Sequence, residues 1–467
     1  MVEGIMISGA TVIDTYTGEK SPQDILIQGE RIAAIGPVGS VEIPVGTQQV
    51  DARGRYVIPG LWDAHIHLTT WPELEERMPG LLTAYGITSV RDMGAELKKI
   101  LAFRHKAMQR EAIAPRIWFA GPFINSSPAW TYDPQHQLSA EVDTEEEAIQ
   151  LIDSLVKAGI HFVKTYEMII PEAFKAIAKR AKQHGLRVAG HSPMQMTIAE
   201  ILEIVPDYDI QHQGGQCSGM TFECCHNAEP LHQERLALLE AGRDTAETGV
   251  DLMLSVETAH PASVDDHDPD KRAALIKLFV EKGTWQTPTL IQKVSLGDLG
   301  FEGHPERIQA LDYMPSAFLE AKKLDVLSLK RTKARQQWGP WYMETLGLMH
   351  KAGIPILAGT DCPPNVEKTP GLALHFELES LVKAGLSPLA ALQSATVNPA
   401  KFFDIENDLG SLAVGKFADL LLLEDDPLED ITNTRKIVSV LSRGHYLDRQ
   451  TLDNLFESMI EPASAET

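Results

Sequence analysis

Ile58-Pro59-Gly60-Leu61-Trp62-Asp63-Ala64-His65-Ile66-His67-Leu68 is an apolar run closed by two histidines one residue apart. Side chains on a strand alternate with period two, so His65 and His67 point to the same side. An imidazole pair facing one way at a strand end is half of a divalent-metal site. Such pairs also arise by chance. The reading therefore depends on what falls further along the chain.

From residue 58 to about 403, short apolar runs alternate with amphipathic helices, the sequence form of βα repeats around a parallel sheet. The runs number eight: Tyr56–Leu61 leading into His65, Ile87–Val90, Ile117–Ala120, Phe162–Lys164, Val188–His191, Tyr208–His212, Trp285–Leu290 and Ile354–Asp361. Pro171 suits the first turn of a helix whose apolar face is Phe174, Ile177, Ala178 and Ala181. Three helices close on Lys157-Ala158-Gly159, Lys351-Ala352-Gly353 and Lys383-Ala384-Gly385, a lysine opposing the negative helix end and a glycine taking the left-handed stop. Eight parallel strands with outer helices make a (β/α)₈ TIM barrel. Between the sixth and seventh runs an insertion at about 213–283 carries helices near Leu231–Ala241 and Lys271–Lys282. It reads as a lid or substrate wall. Leu252–Val256 could be taken for the seventh strand, but Trp285–Leu290 follows a helix directly and is preferred.

Before residue 58 the chain reads as short strands, with a hairpin around Gln28-Gly29-Glu30, and after Phe403 strands return in Phe417–Leu423 and around Arg443-Gly444. The expected division is a small β-sandwich from 1–57 and 404–457, a barrel over 58–403, and a polar tail at 458–467.

The formal charge of −23 excludes nucleic acid and anionic membranes as partners, which need clustered Lys and Arg. No apolar run reaches the roughly 18 residues that would span a bilayer. Met1-Val2-Glu3-Gly4 lacks the segments of a secretory signal, and the four cysteines, with Cys224 and Cys225 adjacent, do not form a disulfide framework; a cytoplasmic, reducing setting is expected. A structural zinc on Cys217, Cys224, Cys225 and His226 lacks the paired spacing such sites use.

Barrel enzymes carry their chemistry at the carboxyl ends of the strands. There this chain places His65, His67, Lys164, His191, His212 and Asp361. Packing does not explain them together, because burying His, Lys and Asp without a cation leaves costly unpaired charge.

Gly60-Leu61-Trp62-Asp63-Ala64-His65-Ile66-His67, Gly190-His191, Gln211-His212, Ala358-Gly359-Thr360-Asp361, Ala395–Ala400 and Gly410–Asp419 resemble the amidohydrolase superfamily over essentially the whole chain. Phe162-Val163-Lys164-Thr165-Tyr166 resembles the branch of Xaa-Pro dipeptidases (prolidases) and imidazolonepropionase-like proteins. The resemblance implies two divalent ions, zinc the expected metal, one held by His65, His67 and Asp361 and the other by His191 and His212. It implies that Lys164 is carboxylated on its amine and bridges them; a bare lysine has no acceptor and would repel a cation. Asp361 would then act as general base.

Gln211 stands where the family often has Glu and reads as a neighbour of the ligands, and Cys362 reads as a buried bystander. Tyr166 either donates to a substrate carboxylate or packs under a loop, while Arg91 is expected to be structural beside Asp92. His226, His232, His260 and His267 read as surface residues. The expected function is hydrolysis of an amide in a dipeptide or N-acyl amino acid. The rivals are a one-metal amidohydrolase on His65, His67, His191 and Asp361 acting on a cyclic amide or as a deaminase, a lactonase, and a non-catalytic scaffold, which would have lost ligands. The expected partners are a small-molecule substrate and further copies of the chain in a homo-oligomer.

Overall fold

The computed structural model describes residues 4–127, 138–214, 219–243, 265–294, 300–301, 303–323, 326–363 and 369–461. Both chain ends enter one mixed eight-stranded sheet. Its strands are β1 (Ile5–Ile13), β2 (Lys20–Gln28), β3 (Arg31–Pro37), β4 (Gln48–Asp51), β5 (Tyr56–Pro59), β15 (Leu420–Leu423), β16 (Ile437–Ser442) and β17 (His445–Asp448). They run in the order β17-β16-β15-β5-β1-β2-β3, with β4 added on β1. A bulge between Ile7 and Ala10 lets β1 serve two neighbours: Ile5–Ser8 pair with β4, and Thr11–Val12 pair with β5. The four leucines of β15 are all buried because both faces are covered. Leu420 and Leu422 join Ile25, Ile27 and Val57, while Leu421 and Leu423 face the larger core with Ile58 and Ile437.

The run Tyr56–Leu61 does not continue as one strand into His65. It divides at Gly60, where β5 pairs with β15 and β6 (Leu61–Ile66) pairs in parallel with β7 (Ile87–Asp92). The Gly60 amide donates to Asp419 O (2.9 Å) and the Leu61 amide to Gly86 O (3.1 Å), so the chain changes sheets across one peptide. A Cβ on Gly60 would lie 2.1 Å from Thr88 Oγ1, itself buried. Gly60→Ala is expected to lower stability by about 1–3 kcal/mol, the usual cost of overpacking, and Thr88→Ala in the same chain to recover most of it. A thermal melt checks this: an unshifted Tm for the single variant would contradict the crossing.

From β6 onward the sheet is parallel. β8 (Arg116–Phe119) completes one group; β9 (Phe123–Asn125), β10 (Ser139–Glu141), β11 (Val163–Thr165), β12 (Val188–Gly190), β13 (Asp209–Gln211) and β14 (Trp285–Thr287) form the other, in the order β10-β9-β11-β12-β13-β14. The third run, Ile117–Ala120, forms β8 and is followed across Gly121 (φ 79°) and Pro122 by a second short strand, β9, and His161 N donates to Phe119 O (3.0 Å) across the two groups. The eighth run, Ile354–Asp361, is not a regular strand; it bridges at Ile356 to Gln286, and just past its end Cys362 bridges to Ile66. It still bonds both neighbours, Leu357 N to Gln286 O (2.9 Å), and Ala64 N to Ala358 O (2.8 Å).

The helices follow their sequence signals. Glu145–Lys157 starts at a Thr144/Glu147 capping box, and Pro171–Gln183 buries Phe174, Ile177, Ala178 and Ala181. Gly159, Gly353 and Gly385 all take the left-handed stop (φ 85°, 84°, 107°). In the insertion the described α-helices are Met220–Glu223, Ala228–Arg243 and Pro269–Lys282; Leu252–Val256, Cys217 and His260 lie outside the described residues. Strand structure does not extend to 457, because Asp448 caps a helix over Arg449–Glu457. Beyond it Met459 is buried and Glu461 pairs with Arg77 (2.8 Å). No helix among the described residues is long and apolar enough to cross a membrane.

Candidate metal centre

His65 sits on β6 and His67 just past its end, and Gly359 allows the segment before Asp361 to press against them. A Cβ at 359 would lie 2.6 Å from His65 Cβ. The Asp361 amide donates to His65 O (2.7 Å), and Asp361 itself is held in the left-handed region (φ 54°). Asp63, buried on β6, accepts from Thr360 Oγ1 (2.6 Å) and Thr360 N (3.1 Å), which anchors that loop. Gly190 plays a similar part for His191, since a Cβ there would meet Thr165 O at 2.2 Å. His212 (φ 55°) and Thr289 (φ 46°) also sit in the left-handed region, strain of the kind that collects at functional sites.

The side chains converge. His65 Nε2 lies 3.3 Å and His67 Nε2 3.2 Å from Asp361 Oδ1. His65, His212 and Asp361 offer ligand atoms all within 4.8 Å of one another. The His65 and His212 rings are 4.7 Å apart and those of His191 and His212 4.8 Å.

The protons can be placed from the partners of the other ring nitrogens. His65 Nδ1 meets Gln211 Oε1 (2.6 Å), His67 Nδ1 meets Gly94 O (2.9 Å), His191 Nδ1 meets Glu167 Oε1 (2.7 Å), and His212 Nδ1 meets Thr289 Oγ1. A carbonyl or carboxylate oxygen only accepts, so Nδ1 of the first three carries the hydrogen, and in neutral His65 and His191 Nε2 keeps its lone pair; against the cost of burial, the Asp361 carboxylate beside His67 holds that ring above the usual histidine range. Burial reinforces the neutral form: it pushes His65 down to about 3 and holds His191 and His212 well below the usual histidine range. The His65 lone pair thus faces a carboxylate oxygen at close range, with the His67 ring against the same oxygen. That arrangement repels itself without a cation and suits one, so the donor set fits a divalent metal.

Lys164 is 2% exposed, and its Nζ has no hydrogen-bond partner among the described residues. Burial pushes its ammonium down to about 7, against the pull of Asp361. Tyr166 packs face-on against Phe123 (4.6 Å) and lies 4.1 Å from the His191 ring. Arg91 is structural, but its partner is not Asp92. It forms a buried ion pair with Asp209 (2.7 Å) and donates to Ala64 O (2.6 Å), while Asp92 accepts from the amides of Leu68 and Gly94. Cys362 is a buried thiol. Of the insertion histidines, His226 pairs with Asp268 (3.3 Å) and His267 Nδ1 accepts from Trp341 Nε1 (3.0 Å).

The amidohydrolase family profile matches residues 56–217 and 342–447, more than half of the chain, and spans every residue of the cluster. The chain belongs to the amidohydrolase family. The family implies dependence on divalent metal. The chain is similar to adenine deaminase 3 of Rhizobium meliloti (strain 1021), at 42% identity over 429 residues, which is 90% of this chain and 55% of that protein. It therefore spans about half the length of that relative. It is similar in structure to a Xaa-Pro dipeptidase with bound methionine in its active site (TM-score 0.64, 21% identity, 95% of this chain and 100% of the other). It is also similar to a molinate hydrolase (TM-score 0.67, 19% identity, 100% and 99%). These two likenesses show a TIM-barrel-type fold with an added domain.

Asp63, Glu167, Asp209 and Thr289 were not picked out by reading the sequence. Asp209 and Gln211 share a strand face by period two, and that signal was available. For Thr289, nothing in the local sequence marks it. Removing divalent metal from this amidohydrolase with a chelator is expected to lower its Tm, because a cation bound only by the folded chain stabilises by about 2.7 kcal/mol at a hundred times its Kd. Zinc should restore the original value; a Tm indifferent to both would argue against a cation site.

Proposed function

We propose that this chain hydrolyses a carbon–nitrogen bond, namely an amide in a dipeptide or N-acyl amino acid, using two divalent ions, zinc the expected metal. His65, His67 and Asp361 would hold one ion and His191 and His212 the other, with Lys164, carboxylated on Nζ, joining them. The observation that carries the reading is the convergence of His65 Nε2 and His67 Nε2 on Asp361 Oδ1, at 3.3 and 3.2 Å. The buried Lys164 amine supports the second ion, since a carbamate turns a donor-only group into a two-oxygen acceptor. When bound, such ions lower the pKa of a water and polarise the carbonyl it attacks. Asp361 takes the water's proton and delivers it to the leaving amine. Tyr166, which packs against His191, would donate to the substrate carboxylate.

The reading takes the parallel strands as a closed (β/α)₈ barrel over 58–403 beside a β domain from 1–57 and 404–457. Support for closure comes from the bonds that tie the 354–361 segment to β14 and β6.

A second reading is favoured by one finding, the likeness to an adenine deaminase. The same histidines and Asp361 could hold a single ion and release ammonia from an exocyclic amine, leaving Lys164 without a role. One screen separates the two. Zinc-loaded protein prepared with bicarbonate is offered dipeptides, N-acyl amino acids and adenine. Amino-acid release with no ammonia from adenine is expected; ammonia from adenine alone would replace the first reading with the second.

A further inference from the structure

We propose that Asp209 is a positioning residue that sets which nitrogen of His65 is free for a cation, acting through Gln211. The argument is one of hydrogen-bond polarity and rests on the proposed role of His65 as a ligand. Arg91, fully buried, lies 2.7 Å from Asp209 Oδ2. It also donates to Thr287 Oγ1 (3.1 Å), which therefore donates its own hydrogen to Asp209 Oδ1 (2.9 Å). Both groups require Asp209 to accept. Its remaining capacity is met by Gln211 Nε2 at 2.7 Å, with the Asp209 carbonyl a further acceptor at 3.3 Å.

An amide has one donating and one accepting end. With its nitrogen committed to Asp209, Gln211 can turn only Oε1 toward His65, at 2.6 Å. His65 must then place its hydrogen on Nδ1 and leave Nε2 as a lone pair aimed at Asp361. Every member of the chain Arg91–Asp209–Gln211–His65 is buried, so water does not offer an alternative partner that would relax the order. The relay also accounts for glutamine at 211. A carboxylate there would face Asp209 at the same 2.7 Å and repel it.

The test uses the full chain and zinc alone, with affinity read by competition with a chromogenic chelator at pH 8. Asp209→Asn can give its amide hydrogens to Gln211 and turn that side chain over, which puts N–H groups against His65 Nδ1 and moves the histidine's hydrogen to Nε2. Zinc affinity is expected to fall about 10–100-fold, the range for losing a partner that orients a ligand. Adding Gln211→Glu to Asp209→Asn restores both the acceptor for His65 and the local charge, so affinity should return to within about threefold of wild type. Gln211→Leu alters no charge and should lose about tenfold, which separates polarity from net charge. Undiminished affinity in Asp209→Asn or Gln211→Leu, or a double variant no better than Asp209→Asn in affinity or folded yield, overturns the relay while leaving the metal site standing. A wild-type chain that binds no zinc overturns both.

Discussion

Lys164→Ala is expected to lower bound zinc from two equivalents to one per chain and to cut turnover by about a thousandfold or more. A metal's stabilisation of developing charge is worth several kcal/mol, and about 1.4 kcal/mol is a factor of ten in rate. The loss should not come from unfolding. Lys164 is buried, but its Nζ takes no hydrogen bond from or to a described residue, so truncation strands no partner. Short carboxylates such as acetate, added to the variant, fit the space the side chain leaves and are expected to recover part of the activity. Plasma emission analysis and initial rates on the same preparation check the two effects together. A variant with wild-type zinc content and turnover would remove the bridging role.

Asp361→Asn should be nearly as damaging, lowering kcat by about 10²–10⁴-fold, the range of a lost general acid–base group. The substitution is conservative where it needs to be. Asp361 sits at φ 54°, and asparagine tolerates that left-handed region better than most residues. The neighbouring anchor, Thr360 on Asp63, is untouched. Rates measured at saturating zinc separate lost proton transfer from lost metal. Activity within tenfold of wild type would move the base elsewhere.

Much of this site could be read from the sequence because strand periodicity is local. His65 and His67 two apart, and the recurrence of His, Lys and Asp at the ends of apolar runs, both follow from alternation along single strands. The lysine–alanine–glycine stops are equally local, and Gly159, Gly353 and Gly385 adopt the left-handed turn they suggest. What escaped depends on distant partners. Tyr56–Pro59 looks like the start of the first barrel strand until Leu420–Leu423, some 360 residues away, pairs with it. Leu420–Leu423 also shows why a sandwich and a single sheet cannot be told apart locally: one four-residue run serves two cores.

Arg91 has the structural role expected of it, and because it and Asp92 are adjacent on a strand they face opposite sides, so its partner comes from elsewhere. Its partner, Asp209, lies far along the chain on β13, the strand that also carries Gln211. The neighbours that meet the outer nitrogens of the histidines, Glu167 and Thr289 among them, carry no periodic signature and emerge only from the fold.

The central claim is that two ions are held where the ends of the parallel strands meet. Zinc per chain, counted on protein reconstituted with zinc and bicarbonate and freed of excess metal, addresses it most directly. Two equivalents are predicted, the second depending on bicarbonate. One equivalent indifferent to bicarbonate, or none, would contradict the account.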